Sequence, residues 1–227
     1  EVPSRGLGDV YKRQAFKNSI DVHSKTASLV YNVPIELVQP EMRRTAKVVN
    51  FGIMYGAGAF RIGQELGIPR SEASMLIESY FQQYPGIQNY IDSTCSMARE
   101  KKYVETILGR RRPIWDADSD NGLRRQAAER MAINMPIQGS SAEMIKIAMI
   151  RIAEEISKLN LRSKLVLQIH DELIFEFPSE EEEVLVELVI DKMENAMKLN
   201  VPIVVDYGIG NSWYCLLYTS PSPRDGT

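Results

Sequence analysis

The chain has 227 residues, with 27 Lys and Arg against 30 Asp and Glu, two Cys and 44% apolar residues. This is the balance of an ordinary globular protein, and it excludes a disordered tail, a collagen-like repeat and a disulfide-built miniprotein. No run long and apolar enough for a membrane helix occurs and no charged-then-apolar leader is visible, so neither membrane nor secretory signal is expected; a net charge of −3 still leaves room for a local basic cleft.

The ends read as foreign to the rest. One choice of codons for residues 4–14 (SRGLGDVYKRQ), read on the opposite strand one base in, encodes CLLYTSPSPR and then begins an Asp codon. Residues 215–225 are CLLYTSPSPRD. One DNA sequence in two orientations therefore accounts for both ends, and it resembles the transposase adaptor of sequencing libraries. Residues 1–14 and 215–227 are accordingly expected to be adaptor-derived, leaving 15–214 as the biological part of a longer gene product. That part holds 23 Lys and Arg against 27 Asp and Glu, and Cys95 as its single cysteine. No internal disulfide is then possible, which fits a reducing cytoplasm.

Residues 15–33 have a helical pattern, and Pro34 and Pro40 bracket a short turn. Residues 41–55 read as a helix that ends among Gly52, Gly56 and Gly58. A short helix over 60–66 is closed by Gly67 and Pro69. Ser71 is a plausible cap for a helix to Tyr84, and Pro85 starts another to about Lys101. Residues 103–108 have strand composition, and 116–122 form a polar loop. A helix over 123–135 is expected to stop at Pro136, with a second from Ser140 to Leu159. Strands follow at 164–169 and 173–177, then a helix capped by Ser179 through Leu199, and a last strand over 201–207. The fold class is α+β, many helices against a small, mainly antiparallel sheet.

Three groups of residues carry chemistry. Arg43, Lys47, Phe51 and Tyr55 recur every four residues, so each step turns about 400° and rises about 6 Å. They make a slowly winding stripe about 18 Å long, two cations followed by two aromatics. A nucleoside triphosphate could lie along it, with phosphate at Arg43 and Lys47 and base on the rings. A partly buried helix with a solvated basic end gives the same pattern.

Gln168, Ile169, His170, Asp171 and Glu172 interrupt two apolar strands. Charged groups there are costly if buried alone, and useful if they face a metal or phosphate. Asp171 and Glu172 are hard oxygen donors suited to Mg²⁺, although strand alternation would aim only one of them at a given ion. A polar hairpin turn with a surface histidine is the alternative. A zinc site is disfavoured, because His23 and His170 are the chain's only histidines and no Cys lies near either.

Arg124, Arg125, Glu129, Arg130, Asn134 and Gln138 form the third group. Arg, Asn and Gln can reach base edges or sugars in a minor groove, and Arg110, Arg111 and Arg112 add a basic patch. A solvated helix with ion pairs such as Arg125 with Glu129 is the alternative.

In this order the groups resemble family A DNA polymerases, the bacterial DNA polymerase I type. RRTAKVVNFGIMYG (43–56) is similar to the family's fingers helix. AERMAINMPIQGSSAE (128–143) resembles its palm-side R-x3-N-x3-Q segment, and LQIHDELIFE (167–176) its catalytic palm hairpin. DVHSKTA (21–27) and YVETILGRRR (103–112) match as well. The resemblance implies a helical fingers-like region over 15–102 and a partial palm over 103–214. Arg43 and Lys47 would hold the triphosphate, with Lys47 also placed to protonate the leaving pyrophosphate. Phe51 would pack on sugar and base, where a Phe goes with discrimination against dideoxynucleotides. Tyr55 would guard the template–primer end. Arg124, Arg125, Arg130, Asn134 and Gln138 would contact primer–template DNA. His170 would lie near the primer terminus. Asp171, with Glu172 nearby, would bind the catalytic Mg²⁺, two ions in the intact enzyme.

The resemblance also implies deoxynucleoside triphosphates as substrates, no membrane partner and a cytoplasmic monomer. The family's other catalytic Asp sits in a motif of the form D-[YF]-S-Q-[IL]-E-L-R, expected upstream of residue 15 along with thumb and exonuclease-like domains. Residues 211–214 (NSWY) fall close to the family's usual C-terminus. The chain by itself is thus expected to be inactive. A non-catalytic duplex-binding module is the alternative, and a P-loop hydrolase ranks last because G-x4-G-K-[ST] does not occur.

Overall fold

The computed structural model describes residues 7–18, 20–212 and 215, with side chains from Lys12 onward. Trp213, Tyr214 and the outer adaptor-like stretches 1–6 and 216–227 lie outside the described residues. The fold is α+β and helix-rich, with two separate two-stranded antiparallel ladders. Two compact units divide at Glu143 and Met144.

The first unit opens with α1 (Leu7–Lys17) and α2 (Val22–Tyr31). The single helix expected over 15–33 is broken because Asp21 caps α2, accepting from the N–H groups of His23 (3.3 Å) and Ser24 (3.0 Å). Such a cap contributes about 0.5–2 kcal/mol. Asn32, at φ 53 and ψ 48, ends the helix in the left-handed conformation that Asn tolerates. A 3-10 turn over Ile35–Leu37 leads to α3 (Pro40–Met54), whose first residue needs no N–H.

Next come α4 (Ala59–Leu66), α5 (Arg70–Gln83) and α6 (Pro85–Lys101). α5 starts directly behind Pro69 without a side-chain cap, so the expected capping role of Ser71 is not realised. Val49, Ile53, Ile62, Ala73, Tyr80 and Tyr84 form the core of this region. Burying each Val or Ile there contributes about 1.5–3 kcal/mol. The core also holds a polar network. Asn50 donates to Thr26 Oγ1 and accepts from Tyr80 Oη, and Thr26 Oγ1 contacts Tyr84 Oη, each at 3.1 Å. Thr26, Tyr80 and Tyr84 are fully buried, so these bonds offset a real desolvation cost.

β1 (Tyr103–Glu105) pairs antiparallel with β2 (Arg111–Pro113). The strand expected to reach Leu108 stops at Glu105, because the chain turns back through Gly109 at φ +82. A 3-10 turn, Trp115–Asp118, occupies part of the expected polar loop.

α7 (Gly122–Lys158) then runs unbroken through Pro136 and across the division between the units. The expected stop is therefore a misreading, and neighbouring side chains give the reason. Proline removes one ladder bond and crowds the carbonyls before it. Here Tyr90 Oη donates to the Ile133 carbonyl at 2.7 Å, and Ser140 Oγ donates back to the Pro136 carbonyl. Ala128, Ala132 and Met135, all before the proline, are buried with Val104 and Ile114, and beyond it the buried Ser140 Oγ accepts from the Ile107 N–H at 2.9 Å, so contacts hold the helix on both sides of the proline.

The second unit holds the end of α7, β3 (Lys164–Ile169), β4 (Glu172–Glu176) and α8 (Glu182–Glu194). Its core gathers Ala148, Ile152 and Ala196, with Leu173, Phe175 and Leu188 against them. Ser179 begins a 3-10 turn rather than capping the helix, and α8 ends at Glu194, short of Leu199. Glu181 instead accepts from the N–H groups of Arg162 and Ser163 at 2.9 Å each, tying this turn to the start of β3. Residues 201–207 pair with no strand among the described residues. Their alternating apolar pattern is strand-like, but a strand exists only where a neighbour completes its ladder.

Candidate nucleic-acid and nucleotide site

α3 buries Ala46, Val49, Asn50 and Ile53. The Arg43–Lys47–Phe51–Tyr55 stripe is therefore not the core face. Phe51 is 44% exposed and Tyr55 47% exposed, values that leave ring surface open to a ligand. Arg43 forms a fork on Asp21, Nε to Oδ2 at 2.7 Å and Nη2 to Oδ1 at 3.3 Å. Burial opposes ionisation of Asp21, but the Arg43 guanidinium with the Ser24 hydroxyl and N–H holds its carboxyl well below the usual carboxylate range.

Asp21 and His23 are the residues sequence reasoning passed over. His23 stacks obliquely on Phe51, ring centroids 5.4 Å apart, and its Nδ1 lies 3.3 Å from Asn50 Nδ2. Burial pushes the imidazole pKa down; Asp21 opposes this, while the charges of Arg43, Lys47 and Lys12 reinforce it. His23 thus joins the cationic end of the stripe to its aromatic end. The DVHSKTA segment held the signal, since a histidine just inside a capped helix is fixed in direction.

At the other end of α3 the chain turns sharply. Gly56, at φ +67, packs so closely on α7 that a Cβ there would lie 2.9 Å from Arg130 Cγ. This contact brings two of the sequence groups together. Tyr55, Arg130, Asn134 and Gln138 line one open depression of about 370 Å³, with Arg61, Arg112, Met131 and Met135. Arg61 had not been singled out, because nothing local in sequence connects α4 to α7. Asn134 Nδ2 donates to the Arg130 carbonyl at 2.9 Å.

Arg124 is exposed at the start of α7, whereas Arg125 folds back to donate to the Ser119 carbonyl at 2.8 Å. The intrahelical Arg125–Glu129 pair expected as the alternative is not formed. Glu129 pairs with Arg99 of α6 instead, at 2.6 Å.

In the second unit, Ile169 pairs with Glu172, so His170 and Asp171 form the two-residue tip of the β3–β4 hairpin. His170 has φ 55, the left-handed region such tight turns require, and Gln168 Nε2 donates to its carbonyl at 3.0 Å. His170, Asp171 and Glu172 are all exposed. Among the described residues no three His, Cys, Asp or Glu gather closely enough to hold a metal ion. No described helix is long and apolar enough to cross a membrane.

Comparison with known proteins follows the same lines. The family model described as DNA polymerase family A matches residues 9–215. DNA polymerase I of Caldicellulosiruptor bescii is 46% identical over 200 residues, covering 88% of this chain and 24% of its own. The thermostable DNA polymerase I of Thermus aquaticus is 43% identical over 206 residues, covering 91% and 24%. The chain thus spans about a quarter of the length of these relatives. Among solved structures, the POL domain of Pol1 from M. smegmatis, in complex with DNA primer-template and dNTP, aligns with a TM-score of 0.85 and 43% identity over 92% of this chain and 36% of that one. A family match over nearly the whole chain, joined to a shared backbone at this identity, shows that the chain belongs to family A of the DNA polymerases.

Proposed function

We propose that the polypeptide containing this chain performs template-directed DNA synthesis in replication and repair. It would add deoxynucleoside triphosphates to a primer 3′-hydroxyl with release of pyrophosphate, as a cytoplasmic monomer. The observation that carries the reading is the depression where Tyr55, at the end of the α3 stripe, meets Arg130, Asn134 and Gln138. A nucleotide-binding pattern and a minor-groove-reading pattern adjoin there, as an enzyme needs if it checks a new base pair while binding the next nucleotide. The ligands of the M. smegmatis relative support DNA and nucleotide as partners.

In this reading Arg43 and Lys47 bind the triphosphate, with Arg43 exchanging Asp21 for phosphate. Lys47 gives a proton to the leaving pyrophosphate, and Phe51 packs on the sugar and base. His23 adds a hydrogen bond to phosphate beside Phe51. Tyr55 closes the template–primer end, Arg124 and Arg125 bind the backbone, and Arg130, Asn134 and Gln138 read the minor groove. His170 approaches the primer terminus. Residues 15–102 serve as fingers and 103–214 as part of the palm.

Exposed carboxylates at a tight hairpin tip fit Mg²⁺, with Asp171 as ligand and Glu172 beside it. Bound Mg²⁺ stabilises the attacking and leaving oxygens. Two ions need carboxylates from two places, and the D-[YF]-S-Q-[IL]-E-L-R motif does not occur in these 227 residues. The chain by itself is therefore expected not to extend a primer. Extension by the purified chain above a Lys47→Ala control would overturn that. In the longer polypeptide, Asp171→Ala should abolish extension and leave primer–template binding within about twofold; normal extension would remove the metal assignment. A second reading, a non-catalytic duplex-binding module, draws on the arginine-rich depression, which binds DNA without any metal. It predicts no extension even by the longer polypeptide.

A further inference from the structure

We infer that Arg61 is a DNA-positioning residue which, with Arg112, holds the phosphate backbone of a nucleic-acid strand crossing the depression beside Tyr55. The inference rests on the function proposed above and adds a residue that lies in none of the recognised motifs. Three guanidiniums line that one depression, from α4 (Arg61), β2 (Arg112) and α7 (Arg130). Among the described residues none of the three pairs with a carboxylate, unlike Arg43, Arg99, Arg110, Arg111 and Arg162; Arg44, Arg70, Arg124 and Arg125 also lack one, but none of these lines this depression.

The contrast is sharpest at consecutive positions. Arg110 takes Glu143 and Arg111 takes Glu105, each at 2.8 Å, while Arg112 faces the depression without an acid. Like charges gathered without a counter-ion repel, and an anion delivered between them removes that cost. The guanidinium fork matches phosphate oxygens in pairs.

Arg61 is also aimed by the fold. Its neighbour Ile62 is fully buried, and a Cβ at Gly52 of α3 would lie 3.1 Å from Ile62 Cγ1. α4 therefore crosses α3 at close range, and the exposed Arg61 is held on the Tyr55 side. The rest of the lining separates a strand from a bare phosphate. Asn134 and Gln138 offer amides suited to base edges, and Tyr55 offers a ring. Amides and a ring flanked by guanidiniums suit a base edge with its own backbone.

The test uses the full 227-residue chain and a fluorescently labelled primer–template, with binding followed by anisotropy across KCl concentrations. Arg61→Ala should weaken binding about tenfold near physiological salt, equally for unrelated sequences. It should also reduce the slope of log K against log salt by about one, because one phosphate contact is lost. Arg61→Lys should keep the slope. A wild-type slope and affinity for Arg61→Ala overturns the inference, as does a salt slope for Arg61→Lys reduced as much as that for Arg61→Ala. A parallel titration with a fluorescent dATP analogue separates the two sources of phosphate. If Arg61→Ala weakens the nucleotide and leaves DNA binding intact, the strand assignment falls. Arg130→Ala keeps the two readings apart. DNA binding that depends on Arg130 and not on Arg61 overturns this inference alone, as does no binding by the unmutated chain, whereas the proposed function falls on normal extension by Asp171→Ala in the longer polypeptide.

Discussion

Gly56 is the point where the end of α3 meets α7, and replacing it tests the assembly of the depression directly. Its φ of +67 lies in the left-handed region, which costs a residue with a Cβ about 1–2 kcal/mol. The added Cβ would also sit 2.9 Å from Arg130 Cγ and 3.4 Å from Arg130 Cα. Arg130 is exposed, so its Cγ can swing aside, but its Cα belongs to a packed helix. The contact therefore adds about 1 kcal/mol, the low end of the overpacking range. Gly56→Ala should lose about 2–3 kcal/mol in total. Two other glycines separate the contributions. Gly67 has φ +70 and nothing within 4 Å, so Gly67→Ala should lose only the conformational part, about 1–2 kcal/mol. Gly58 has neither feature but is the N-cap of α4, where Gly is preferred over Ala, so Gly58→Ala should lose about 0.5–1 kcal/mol, less than Gly56→Ala. Urea unfolding of the full chain, followed by far-UV circular dichroism, measures all three. Binding of labelled primer–template should weaken for Gly56→Ala and not for Gly67→Ala, since only the first displaces Arg130. A stability loss for Gly56→Ala no larger than that for Gly67→Ala would refute the close α3–α7 contact.

Three further outcomes follow from the same geometry. The folded state holds Asp21 well below its usual pKa, so the stability of its charged form is present above about pH 4 and is lost as pH falls. Asp21→Asn keeps a capping oxygen and loses only the charge, so its urea midpoint should lag wild type at neutral pH and converge with it in acid; a gap independent of pH sinks the argument. His23 should titrate below the ordinary histidine value in NMR, and adding a deoxynucleoside triphosphate should raise its midpoint, because phosphate charge offsets the surrounding cations. An unmoved titration counts against phosphate at His23. Asn50→Ala removes the acceptor of Tyr80 Oη and the donor to Thr26 Oγ1, and should lose about 2–4 kcal/mol in urea; a loss under about 0.5 would mean that the network contributes little.

The elements legible in the sequence were those set by local rules. The four-residue spacing of Arg43, Lys47, Phe51 and Tyr55 reads as one helix face because helical period is local, and α3 presents that face away from its core. Likewise the polar interruption at 168–172 reads as a hairpin tip, and Ile169 does pair with Glu172. Misreadings arose where a distant partner decided the outcome. Pro136 looks like a stop, but Tyr90 and the packing around Ala132 and Met135 carry α7 past it. Residues 201–207 look like a strand, yet a ladder needs a neighbour that local composition does not specify.

By itself the sequence determined the family and the α+β class, because motif spacing and side-chain chemistry are properties of short segments. Tertiary structure alone decided which of those segments meet. It put His23 against Phe51, set Arg43 on Asp21, and gathered Tyr55, Arg61, Arg112 and Arg130 around one depression. The physical reason is close packing. The approach of α3 to α7 at Gly56 and Arg130 is set by side-chain shape between residues far apart in the chain, and that of α3 to α4 at Gly52 and Ile62 by packing across a turn.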